Sequence, residues 1–145
     1  MKTVNERFFD IATKSVSYKC HEKKEFHRLG VYTLKALAEE LGLLEPDYEI
    51  RNNMGGIAAS GEVTLHSDNL YIQLSQSSLG IRHGFYWRSC NGSRDFCGGK
   101  NQWMAWNCLL DLRGFANRIR EHLEVEKAFS QGAKFAVTQP PTEGE

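Results

Sequence analysis

Residues 57–75 read IAASGEVTLHSDNLYIQLS, and this stretch decides the fold. Ile57, Ala59, Val63 and Leu65 alternate with Ala58, Ser60, Glu62, Thr64 and His66, while Gly61 fills the inward slot between Ala59 and Val63. A period of two sends successive side chains to opposite faces of a sheet, so the pattern predicts a half-buried strand. Ser67-Asp68-Asn69 has the composition of a hairpin turn. On the return strand Leu70, Ile72 and Leu74 point inward, and Tyr71, Gln73 and Ser75 outward. Two such strands start an antiparallel meander.

Working outward, Tyr48 to Asn53 adds a strand before the Gly55-Gly56 turn. The polar run from Ser77 to Gly84 connects to another strand, Phe85 to Ser89, for three to four strands in all. Helical spacing flanks them on both sides. Asn5 is an N-cap candidate for a helix carrying Phe8, Phe9, Ile11, Ala12 and Val16. After a charged stretch, Tyr18 to Phe26, a second helix puts Leu34, Leu37, Ala38 and Leu41 on one face and stops at Gly42. Asn91 to Gln102 reads as a long exposed loop, and Trp103 to Leu110 as a short apolar helix. Asp111 caps a last helix with Phe115, Ala116, Ile119 and Leu123 inward. The pattern fades after Phe129. The expectation is therefore one α+β domain over residues 1–130, with N-terminal helices and a C-terminal helix packed on one face of the meander. Residues 131–145 are expected to form a flexible C-terminal tail.

Of the 145 residues, 41% are hydrophobic and 25% charged, which excludes a disordered or fibrous chain. Eighteen basic and eighteen acidic residues cancel, so no bulk field announces a nucleic-acid or membrane partner. Met1 to Asp10 lacks a signal-peptide pattern. No window approaches the roughly 18 to 20 apolar residues of a membrane span. A cytoplasmic protein with Cys20, Cys90, Cys97 and Cys108 as free thiols is expected. The charge is unevenly placed. Residues 51–104 carry five basic and three acidic residues, and four of the five basic ones fall between Gly80 and Met104.

That segment holds the main candidate site, RSCNGSRDFCGGKNQW over residues 88–103. Hairpin connections are usually about 2 to 5 residues, so a loop of this length suggests a function. Arg88, Arg94 and Lys100 supply positive charge, Trp87, Phe96 and Trp103 flat surfaces, and Asn91, Asp95 and Asn101 hydrogen-bonding groups. Such a set suits an anion, a nucleotide or an acidic protein patch. The competing reading is a structural loop tied down by its own arginine and aspartate, with the tryptophans in the core. The outward stripe of Ser60, Glu62, Thr64, His66, Tyr71, Gln73 and Ser75 is poor in charge for a solvated face. It suits a protein–protein or homodimer contact as well as it suits a covered face.

Other chemistries find less support. Gly98-Gly99-Lys100 is followed by Asn101 and preceded by Asp95 where a Walker loop needs Ser or Thr and Gly. No CxxC pair marks a zinc site, so neither metal nor cofactor is expected. There is no GxSxG elbow and no paired carboxylates, leaving a small cysteine-dependent enzyme on Cys90 or Cys97 as the weakest option. Three or four cations make a weak anchor for single-stranded nucleic acid.

The stretches GGIAASGEVTLHSDNLYIQLSQSSLG (residues 55–80) and YWRSCNGSRDFCGGKNQW (residues 86–103) resemble small proteins carried by phages and conjugative plasmids of Gram-negative bacteria. Proteins of that kind are often anti-defence factors, anti-CRISPR proteins included. The resemblance implies a non-enzymatic protein that inhibits a bacterial immune or nucleic-acid-processing complex by contact with a host protein or ribonucleoprotein. It carries over no catalytic residue. The alternative is a protein that binds or sequesters a nucleotide signal.

Overall fold

The computed structural model describes residues 2–13, 20–55, 61–75, 84–90, 92 and 99–138. Helix α1 spans Val4–Ala12 and α2 spans Cys20–Glu40. Strands β1 (Tyr48–Asn53), β2 (Glu62–Ser67), β3 (Leu70–Leu74), β4 (Gly84–Ser89) and β5 (Gln102–Ala105) follow, then a 3-10 turn, Trp106–Leu110, and α3, Leu112–Thr138. The strands pair in chain order as a five-stranded antiparallel sheet. This is the expected α+β meander with one more strand, β5. Trp103 therefore lies on an edge strand and not in a helix, and only the second half of the 103–110 segment is helical.

Local chemistry explains most element ends. Thr3, not Asn5, caps α1. Its hydroxyl accepts from the Glu6 amide at 3.2 Å, and the Glu6 carboxylate accepts from the Thr3 amide at 2.8 Å, a capping box. Asn5 instead donates its amide to the Leu109 carbonyl at 2.9 Å, joining α1 to the 3-10 turn that precedes α3. Helix α2 starts several residues earlier than expected, because the charged stretch is itself amphipathic. Phe26, His27, Leu29 and Gly30 are buried while Lys24 and Arg28 are exposed. At its other end Leu43 N–H bonds to the Ala38 carbonyl and Gly42 N–H to that of Glu39, with Gly42 at φ 75°, a Schellman motif. Asp111 caps α3 as expected, accepting from Gly114 N–H at 3.1 Å. Helix α3 runs on to Thr138, past the point where the apolar pattern fades. The expected strand residues Ile57 and Ala59, the connection from Ser77, and residues 139–145 of the expected tail lie outside the described residues.

The core lies between the sheet and the helices. Val63, Leu65, Ile72, Leu74, Phe85 and Trp87 project from one sheet face. Against them pack Phe8 and Ala12 of α1, Phe26, Leu34 and Leu37 of α2, and Phe115 and Ile119 of α3. Aromatic rings knit the layers: Phe8 sits 5.1 Å from Phe26, and Phe85 lies 5.6 Å from Trp106 and 5.5 Å from Phe115. Helix α2 crosses closely at Gly30, where a β-carbon would stand 3.2 Å from the Phe8 ring and 3.3 Å from Val63. Since the helices take this face, the other is left to polar and aromatic side chains.

A polar and aromatic sheet face as the candidate functional site

Strand register arranges that second face in two rows. One runs Glu49, His66, Tyr71, Arg88 across β1 to β4; the other runs Arg51, Thr64, Gln73, Tyr86, Trp103 across all five strands. Alternation puts each of these opposite the core-facing residues. The rows are joined by hydrogen bonds that converge on one acceptor. Tyr71 and Tyr86 both donate to Gln73 Oε1, at 2.9 Å and 2.8 Å. Flat groups continue the line: the His66 ring meets Tyr71 edge-on at 5.2 Å, and Tyr86 lies 4.9 Å from Trp103. The Arg88 guanidinium stacks on the Tyr71 ring 4.3 Å from its centre.

Thr64, His66, Tyr71 and Arg88 are buried although they face away from the helices, whereas Trp103 remains 44% exposed at the edge. Arg88 is 7% exposed, so its charge is held against Tyr71 and is not spread on the surface. Burial pushes the Tyr71 phenol up to about 12, and the neighbouring Tyr86 adds to the rise. A phenol held that high stays protonated at neutral pH. It serves as a hydrogen-bond donor and not as a base.

At the β1 end the face hollows into a cavity of about 320 Å³ lined by Arg51, Asn53, Glu62, Thr64, His66 and Tyr71. Its rim is tied by Asn53 Nδ2 donating to Glu62 at 2.9 Å, and by an ion pair of Arg51 with Glu49 at 3.3 Å. Gly61 makes the close β1–β2 approach here, at φ 71°, where a β-carbon would lie 2.2 Å from the Asn53 carbonyl oxygen.

Of the residues singled out from sequence, the fold brings Tyr71, Arg88 and Trp103 onto this one face. Lys100 and Asn101 are exposed on the approach to β5, with the Lys100 carbonyl accepting from Gln102 Nε2 at 3.3 Å. Asn91, Arg94, Asp95 and Phe96 lie outside the described residues. Trp87 is no recognition surface: it is buried in the core, 5.1 Å from the His122 ring and 6.4 Å from Phe115. Tyr86, Arg51 and Asn53 were missed as site residues. Alternation outward from Arg88 would have found Tyr86, and Arg51 needed the β1–β2 register. Cys90 is buried and its thiol donates to the Ser67 carbonyl at 3.4 Å, the behaviour of a packing group. Among the described residues, no three of His, Cys, Asp and Glu stand together as metal ligands. No described helix is long and apolar enough to cross a membrane.

The fold and this face define an α+β domain with helices on one side of a meander and a polar and aromatic face on the other. Comparison with protein-family models, with curated proteins and with solved structures finds no match to the chain.

Proposed function

We propose that the protein is a non-enzymatic binding protein that inhibits a bacterial immune or nucleic-acid-processing complex by protein–protein contact, through the sheet face opposite the described helices. The observation that carries this reading is Trp103, open at the sheet edge and 4.9 Å from part-buried Tyr86, with the buried rings of Tyr71 and His66 and the stacked Arg88 holding that pair in place from behind. Interfaces concentrate tyrosine, tryptophan and arginine in charge-poor centres, and such residues dominate their energetics. The resemblance to phage and plasmid proteins implies a host complex as the partner. The test is to capture that complex with the tagged protein and then titrate its activity. Near-equimolar inhibition by the wild type, lost in Trp103→Ala with the fold retained, supports the assignment. Inhibition that survives both Trp103→Ala and Tyr86→Ala overturns it.

The 320 Å³ cavity favours a second reading, a small polar ligand such as a nucleotide signal. A nucleotide that raises the melting temperature of the protein alone, with the rise lost in Arg51→Ala, would place this reading first.

A further inference from the structure

A second groove lies on the other side of the molecule's secondary structure, where α2 passes the end of β1, and it encloses about 420 Å³. Lys24, Arg28, Val31, Tyr32 and Lys35 line it from the helix, at spacings that share one helical face. Eleven residues at 1.5 Å rise put Lys24 and Lys35 roughly 16 Å apart along the axis. Neither lysine has a carboxylate within ion-pair distance among the described residues. Arg28 is held in a two-point pair with Glu25, at 2.8 Å for both bonds, and this hydrogen bonding draws the Glu25 carboxyl below its usual range.

The opposite wall is also a donor. Buried His27 contacts Asn52 Oδ1 through Nδ1 at 2.5 Å, and an amide oxygen can only accept, so the ring nitrogen carries the hydrogen. That bond occupies the oxygen of Asn52 and leaves its amide hydrogens to donate. Between the two lysines stands Tyr32, half-exposed at 50%, with Lys35 Nζ 6.0 Å from its ring centre. A groove offering cations, an amide donor and an open ring in line matches a chain of phosphates whose bases stack on aromatic faces.

We infer that this groove binds single-stranded nucleic acid, with phosphates on Lys24, Lys35 and the Asn52 amide and a base stacked on Tyr32; two lysines are a weak electrostatic anchor, so the binding is weak and much of it comes from stacking. An acidic peptide would match the cations but has no use for the open ring. The inference stands apart from the sheet-face reading and does not depend on it.

Fluorescence anisotropy with a labelled single-stranded oligouridylate, over a series of salt concentrations, tests it on the intact protein. The wild type should bind, with log K falling linearly with log salt. Removing two phosphate contacts in Lys24→Gln/Lys35→Gln should reduce that slope by about 1.4, at roughly 0.7 per contact for single strands. Tyr32→Ala should weaken binding roughly tenfold and leave the slope alone. All three positions are on the surface, and circular dichroism checks that each variant is folded. Absence of wild-type binding at low salt, or an unchanged slope in the double variant, overturns the inference. So does competition by polyglutamate as effective, charge for charge, as by unlabelled oligouridylate, which would assign the groove to an acidic protein.

Discussion

Gly84→Ala is expected to detach β5 from the sheet and to take Trp103 with it. Gly84 opposes Ala105 in the β4–β5 ladder, and a β-carbon built on it would lie 2.0 Å from the Met104 carbonyl oxygen. Contacts of that kind do not occur much below 3 Å, so the two backbones must part by about 1 Å. A hydrogen bond stretched from about 2.9 Å to about 4 Å is lost. Two ladder bonds at about 1 kcal/mol each, plus part of the burial of Met104, give a loss of about 2–3 kcal/mol. With a urea slope of about 2 kcal/mol/M, the midpoint should fall by about 1–1.5 M at unchanged slope. Near-ultraviolet circular dichroism should weaken as Trp103 leaves Tyr86. Gly42→Ala is the comparison, since its β-carbon meets nothing within 4 Å and its cost, about 1 kcal/mol, comes from the φ of 75° alone. If Gly84→Ala proves as stable as Gly42→Ala, with its aromatic signal intact, the steric reasoning is wrong.

Other perturbations follow from the same physics. Phe8→Ala should cost about 3–5 kcal/mol in urea unfolding, because the ring is fully buried between Phe26 and Trp106. Asp111→Ala removes the acceptor for Gly114 N–H and should cost about 1 kcal/mol, measured the same way. Tyr71 is held neutral with its pKa raised from 10.0 to about 12, so its contribution is complete below pH 10 and declines between pH 10 and 12. Two units correspond to about 2.7 kcal/mol, which solvent screening at this partly open face reduces to about 1–1.5 kcal/mol. Stability measured against pH should therefore fall less steeply over that window in Tyr71→Phe; an identical slope would refute the burial argument.

Much of the architecture was legible because period-two alternation is a two-valued signal. Val63, Leu65, Leu70, Ile72 and Leu74 all lie on the core face read from it. Strand β5 was not legible, since four residues between a glycine-rich loop and an apolar turn are too few for a period to emerge. The start of α2 was hidden by its own charge: Glu25 and Arg28 form an (i, i+3) pair that supports a helix, yet they look like a polar connection. The candidate site was half visible. Tyr71, Arg88 and Trp103 were chosen for their chemistry, but that a register would align them with Gln73 and Tyr86 is a long-range property. Burial of Thr64, His66 and Arg88 could not be read from polarity, which by itself signals exposure.

The order of the strands and the contact of α1 with the distant 3-10 turn have a kinetic consequence. Every sheet pairing joins sequence neighbours, so the meander can grow hairpin by hairpin at low entropic expense. The docking of α1 on the 3-10 turn is different, because Asn5 reaches Leu109 across 104 residues and Phe8 meets Trp106. That closure is expected to form after the folding barrier, so weakening it should leave the refolding rate nearly unchanged and accelerate unfolding. The first helix of the chain would then act as its latch: last to close, first to open, and the element that sets the lifetime of the folded state.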